Sequence, residues 1–160
     1  MMIFEGLSKT YTGTFLLGKS SHSMDTETEM TNKYLPENLN DDLIFKTRDI
    51  FLGGLEQIPP MYSALKVNGK KLYDLARRGK EVERKPREVH IYRFEITRID
   101  IPEVHFDIKC SKGTYIRVIA NDFGEKLGCG AVLSKLIRTK IGDISLKDAL
   151  SVEEFVQKII

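Results

Sequence analysis

The chain has 160 residues, 41% hydrophobic and 30% charged, with a formal net charge of +2. That length suits one domain with a buried core, no apolar run approaches the ~20 residues of a membrane span, and no secretory signal opens the chain, so neither a membrane-embedded nor a secreted protein is expected. Two cysteines without a C-x-x-C pair and three scattered histidines (His22, His90, His105) argue against a disulfide framework or a metal site and for reduced thiols in an intracellular protein, cytoplasmic by default with an organelle as the alternative.

Residues 9–17 (KTYTGTFLL) alternate, with Tyr11, Gly13, Phe15 and Leu17 on one face, and predict a strand. Residues 18–38 are polar and aperiodic and read as a long loop. Asn40 caps a helix with Asp41 and Asp42 in its first turn, a stripe of Leu43, Thr47, Ile50 and Phe51, and Gly53 as its stop. Pro59 and Pro60 bar a helix before Met61, a short strand reaches Val67, and Asn68-Gly69 signals a tight turn. A short helix from about Leu72 to Arg78 ends at Gly79. Residues 87–99 form a long strand whose alternation slips near Arg93, predicting a bulge. Pro102-Glu103 turns the chain into another alternating strand, 104–110 (VHFDIKC). Ile116, Ile119, Ala120, Phe123 and Leu127 then recur at helical spacing, with Thr114 as N-cap and Gly128 as stop. Ser151 with Glu154 makes a capping box for a last amphipathic helix whose stripe is Val152, Phe155, Val156 and Ile159. Hairpin-connected strands among separate helices predict an α+β fold: a mainly antiparallel mixed sheet flanked by helices, one domain over 1–160.

Charge is uneven. Residues 66–93 carry ten Lys and Arg, including Lys66, Lys70, Lys71, Arg77 and Arg78, against four acids, while the rest of the chain is net acidic. A clustered basic block is the footprint of a polyanion partner, and a solvated charged face is the plainer alternative.

No nucleotide-binding glycine loop, H-E-x-x-H helix or local signature of Ser/His/Asp catalysis is present. The turn Ser111-Lys112-Gly113-Thr114 can aim backbone N–H groups at an anion from a helix N-terminus, although a strand-to-helix turn needs a glycine for conformational reasons alone. Tyr11 is a sheet aromatic that shares a strand with Gly13, where a ligand could approach closely, and exposed rings of this kind stack on extruded bases. Leu136 reads as an ordinary core leucine. Arg117 stands out: with Thr114 as N-cap it occupies the third helical position, where a cation opposes the helix dipole, and the positions four residues away are Gly113 and Asn121 rather than acids. Asp122 and Glu125 point off its face. It is placed as if awaiting an anionic partner from elsewhere.

The segments KTYTGTFLLG (9–18), IPPMYSALKVNGKKLYDLARRG (58–79), CSKGTYIR (110–117) and EKLGCGAVLSKLIRTKIG (125–142) together resemble the tRNA pseudouridine synthase B family, in the family's order and over nearly the whole chain. The resemblance implies a pseudouridine synthase-like fold and cofactor-free isomerisation of a uridine in the TΨC stem-loop of tRNA. The target base is flipped out and its N-glycosidic bond is exchanged for a carbon–carbon bond at C5. It assigns Arg117 as partner of the catalytic aspartate, Tyr115 as a second active-site tyrosine, and Tyr11, Leu136 and Lys112 to the substrate, while the basic block suits an RNA backbone. The chain departs from the family in one respect. The catalytic aspartate belongs to a G-H-x-G-T-L-D-P-x-A-T-G segment upstream of the first matching strand, and none of the ten aspartates here has that context. In the 18–30 region an acid is kept at Asp25, but Ser21-His22 replaces a Thr-Asp common in the family. The expectation is therefore a partial catalytic domain, incomplete at its N-terminus, without a C-terminal RNA-binding domain and inactive alone. A non-catalytic tRNA-binding protein of the same descent is the alternative, and a remnant that self-associates along open sheet edges is a third.

Overall fold

The computed structural model describes residues 7–145. In chain order these form β1 (Lys9–Leu17), β2 (Lys19–Ser21), β3 (Met30–Asn32), α1 (Asp41–Ile50), β4 (Gly53–Gln57), β5 (Lys66–Val67), β6 (Lys70–Lys71), α2 (Leu72–Arg77), β7 (Arg87–Asp100), β8 (Glu103–Cys110), α3 (Ile116–Leu127), β9 (Ala131–Ile141) and β10 (Ile144–Ser145). Six strands make one sheet in the order β10-β9-β1-β8-β7-β4, and β2-β3 and β5-β6 are separate ribbons. Among the described residues every strand pair is antiparallel, and the one parallel contact is an isolated bridge between Asp25 and Leu133. The α+β expectation holds. The helix expected from the Ser151–Glu154 box lies outside the described residues.

Alternation on β1 places Phe15 and Leu17 on the face that α3 covers, and the core grows from there. Phe15 packs against Phe106 with ring centroids 4.5 Å apart and against Phe123 of α3 at 5.4 Å, while Phe94 and Phe51 extend the cluster. Two glycines permit close approach. A Cβ on Gly124 would lie 2.1 Å from the Ala131 nitrogen, so α3 can lie directly on the start of β9. A Cβ on Gly13 would lie 2.2 Å from the Lys135 carbonyl oxygen and 2.7 Å from the Phe106 ring. The space beside Gly13 thus belongs to protein, which corrects the expectation of a ligand there.

Four local expectations need revision. The 18–38 loop contains the β2-β3 hairpin, whose three-residue polar strands carry no hydrophobic period. In α1 the Asn40 side chain accepts from the Leu43 N–H at 2.9 Å as predicted, but the buried stripe is Ile44, Thr47 and Phe51, and Ile50 is 56% exposed. β4 (GGLEQ) and β9, for which the sequence predicts no strand, both join the main sheet. β9 shifts register twice against β1, between Thr10 and Tyr11 and between Thr14 and Phe15, which scrambles a period of two. At α3 the N-cap is Tyr115, extended and without a side-chain cap bond, because the Thr114 hydroxyl donates to the Ser111 carbonyl at 2.8 Å. Arg117 is therefore the second helical residue. The bulge near Arg93 is present between Ile91 and Arg93, and Asn68 and Gly69 take positive φ (53° and 78°) in the β5-β6 turn.

Candidate functional site

The site begins where α3 stops covering the sheet. Residues paired across an antiparallel ladder share a face. Tyr11 faces Arg138 and Gly13 faces Leu136 across β1 and β9, so Tyr11, Arg138 and Leu136 form one stripe beside the core. Leu136 is 42% exposed, which corrects the reading of it as a core leucine. The Arg138 guanidinium stands 6.0 Å from the centre of the half-buried Tyr11 ring. Burial pushes the Tyr11 phenol above its ordinary pKa, and the Arg138 charge opposes that rise.

Arg117 enters from the first turn of α3 and, with Asp25, Leu133 and Leu136, lines an open cleft. Its guanidinium donates to the carbonyls of Ser23 (3.2 Å) and Tyr62 (2.5 Å), joining the β2-β3 connection to the segment after β4. Asp25 lies 3.8 Å from it, with side-chain exposures of 19% for Arg117 and 21% for Asp25. The expectation that this chain supplies no carboxylate to Arg117 is therefore corrected, and the acid is the one kept in the 18–30 region. No hydrogen bond joins the pair. Asp25 Oδ1 instead accepts from the Ser23 hydroxyl at 2.5 Å and the Glu27 N–H at 2.9 Å. Of the five guanidinium donors, two are committed to carbonyls, which leaves capacity for a further oxyanion.

Gln57, a residue the sequence did not single out, fixes the entry to α3. Only 4% exposed, it accepts from the Tyr115 N–H at 2.9 Å and donates to the Tyr115 carbonyl at 3.1 Å, clamping edge strand β4 to the residue before the helix. Tyr115 thus sits half-buried with its backbone held. The 111–114 turn has Gly113 at φ 76°. Two N–H groups around it are already used, Ser111 to the His90 carbonyl and Tyr115 to Gln57, which weakens its reading as an anion cradle. Lys112 is exposed.

The basic block divides. Lys66, Lys70, Lys71 and Arg78 surround one concavity together with Asp74. Arg77 turns the other way, stacks 4.3 Å over the Tyr73 ring, and donates to the Tyr73 hydroxyl at 2.9 Å. Both cysteines are free and buried, and burial pushes the Cys110 thiol up to about 11. Among the described residues, no cluster of His, Cys, Asp and Glu could hold a metal ion, and no helix is long and apolar enough to cross a membrane.

Comparison with known proteins places this geometry in context. Residues 1–116 match the TruB family pseudouridylate synthase N-terminal domain. The tRNA pseudouridine synthase B of Flavobacterium johnsoniae is 44% identical over 155 residues, covering 97% of this chain and 68% of the relative. That of Phocaeicola vulgatus is 45% identical over 152 residues, covering 95% and 65%. The chain spans about two thirds of the length of these relatives. Among solved structures, a chain in a Cbf5-Nop10-Gar1 complex aligns with a TM-score of 0.66 over 96% of this chain and 36% of its own length. Another, in an H/ACA ribonucleoprotein bound to a substrate RNA containing 2′-deoxyuridine, aligns at 0.63 over 98% and 35%. At 23% and 18% identity these two establish the fold alone.

Proposed function

The chain belongs to the TruB family of pseudouridylate synthases, and from that premise we propose that its 160 residues are a partial catalytic domain for converting a tRNA uridine in the TΨC stem-loop to pseudouridine. The observation that carries the reading is the cleft in which Arg117, Asp25 and Leu136 meet beside the Tyr11–Arg138 stripe. In this reading the flipped uracil stacks on Tyr11 and rests on Leu136, Tyr115 stands at the helix entry, and Lys112 contacts substrate. Lys66, Lys70, Lys71, Arg77 and Arg78 hold the RNA backbone. Arg117 turns its uncommitted donors to the carboxylate that attacks the sugar or removes its proton, holding that group ionised. The carboxylate comes from a segment of the G-H-x-G-T-L-D-P type, so the chain as given binds tRNA without converting it. The reaction needs no cofactor, and its natural setting is the cytoplasm.

A second reading is favoured by one distance: Asp25, 3.8 Å from Arg117, is itself a carboxylate in the cleft and could serve. The deciding assay incubates the chain with a T-loop stem-loop RNA and scores pseudouridine. The first reading expects no product from the chain alone and product once the aspartate segment is fused to it. Product from the chain alone, abolished by Asp25→Asn, overturns it in favour of the second. Binding without product even after fusion marks a non-catalytic tRNA-binding protein.

A further inference from the structure

Among the described residues, β4 is the last strand of the sheet on its side. Its neighbour β7 shows which way its backbone points. His90 donates its N–H to the Ser111 hydroxyl at 2.8 Å, and its carbonyl accepts from the Ser111 N–H at 2.9 Å, so His90 faces away from β4. Backbone groups alternate sides along a strand, so Val89 and Ile91 face β4, opposite Leu55 and Gly53. Gly54 and Glu56 therefore turn an N–H and a carbonyl each out of the sheet. A row of such groups is a template on which another strand can form.

The surroundings of this edge say what fits it. Gly53 has a positive φ of 92° and needs glycine for that reason, but Gly54 does not. A Cβ on Gly54 would meet nothing nearer than Glu88 Oε1 at 3.9 Å, so no packing within the described residues asks for glycine there. Close passage of another backbone does. Beside the strand lies a cavity of about 320 Å³ walled by Ile50, Leu55 and Ile119, and Ile50, Leu52 and Ile58, which flank β4 in the chain, are all exposed. Charge completes the pattern. Asp122 and Glu125 stand at the cavity against the single cation Lys126. Glu56 lies directly across the ladder from Glu88, a like-charge pair that destabilises a sheet until a cation meets it. An added strand alternates its side chains between the two faces, apolar toward the cavity and basic toward Glu56 and Glu88.

We propose that β4 is a docking edge for an extended segment of a protein partner in which large aliphatic residues alternate with Lys or Arg. The segment pairs with the free backbone groups of Gly54 and Glu56, seats an aliphatic side chain in the cavity, and sets its cations against Glu56 and Glu88. None of these residues is assigned to RNA above, so the inference stands apart from the tRNA reading. The test titrates the ¹⁵N-labelled 160-residue chain with an end-capped heptapeptide of alternating lysine and leucine. Two control peptides accompany it, one with glutamate for every lysine and one with every peptide nitrogen methylated. The first peptide is expected to shift the Gly54 and Glu56 amides and slow their hydrogen exchange, and both controls to bind at least about tenfold more weakly. Glu56→Pro removes an outward N–H that an edge strand can spare and should weaken binding about tenfold. Ile50→Lys, at an exposed position, should do the same by placing a cation at the cavity. Equal affinity of the methylated peptide, or binding that leaves the Gly54 and Glu56 amides unmoved, overturns the edge as a docking site. A dimer that forms without peptide and is abolished by Glu56→Pro gives the edge to a second copy of this chain and overturns the partner proposed.

Discussion

Arg117 is bound mainly by backbone carbonyls, and that makes its substitution informative before any RNA is added. A hydrogen bond from a charged donor contributes about 1.5–3 kcal/mol. Losing both, at Ser23 and Tyr62, removes about 3–6 kcal/mol, and rehydration of the two carbonyls in an open cleft returns part of it, leaving about 2–4. The Asp25 contact adds little, because at 3.8 Å without a hydrogen bond it behaves as a partly solvated ion pair worth under about 1 kcal/mol. Arg117→Ala should therefore lower stability by about 2–4 kcal/mol and the melting temperature by about 5–15 °C. Arg117→Lys, which reaches one acceptor at most, should lose about half as much, and Asp25→Asn under about 1 kcal/mol. Urea denaturation of the three variants and of Arg117→Ala/Asp25→Asn reads the pattern directly. An Arg117→Ala cost below about 0.5 kcal/mol would show that the brace between the two segments does not exist. An Asp25→Asn cost equal to that of Arg117→Ala, with the double variant no worse than either, would make the ion pair the dominant contact.

Gln57→Leu leaves the Tyr115 N–H unpaired, while the Tyr115 carbonyl keeps the Val118 and Ile119 N–H groups, and should cost about 1–3 kcal/mol in the same denaturation assay; a cost near zero would mean the clamp does not form. Burial raises the Asp122 carboxyl above its ordinary value, with the Glu125 charge adding to the rise. A raised folded-state pKa confers stability that is fully present below the unfolded value and lost as pH rises through the folded one. Asp122→Asn should accordingly raise the melting temperature at pH 7 and lose that advantage as pH falls through the carboxylate range; an advantage that grows on acidification would reverse the sign. Lys71→Ala should weaken tRNA binding and reduce the slope of log affinity against log salt by about 1, whereas an unchanged slope would remove this lysine from the RNA path.

Much of the scaffold was legible because β1, β7, β8 and α3 obey a single local period across most of their length. The slip in β7 near Arg93 was readable for the same reason, as a departure from a period otherwise kept. β9 was not, since its two register shifts place consecutive residues on the same side and its outer half is exposed. β4, with two glycines in five residues, has too little side chain to declare a face. In α1 the cap was visible but the stripe was misplaced by one residue, because Ile50 and Ile44 are equivalent to a pattern count and only packing against the sheet distinguishes them.

The Arg117 reading shows how far a local rule reaches. That no acid lay within one helical turn was right, and the dipole argument correctly marked the residue as placed for something other than helix stability. The step from no local partner to no internal partner was wrong. Asp25 arrives through the isolated parallel bridge to Leu133, a contact without periodicity and with no trace in either segment. Yet the pair it makes is loose: Asp25 spends its hydrogen-bonding capacity on Ser23 and Glu27, and Arg117 spends two donors on carbonyls. An arginine dedicated to one structural carboxylate would meet it in a short two-point contact, as guanidinium and carboxylate geometries match. This one is instead held from behind, with its charge in an open cleft and donors to spare. That arrangement leaves an oriented cation with unused donors, as the proposed pairing with a catalytic carboxylate requires, and Asp25 at 3.8 Å balances part of its charge.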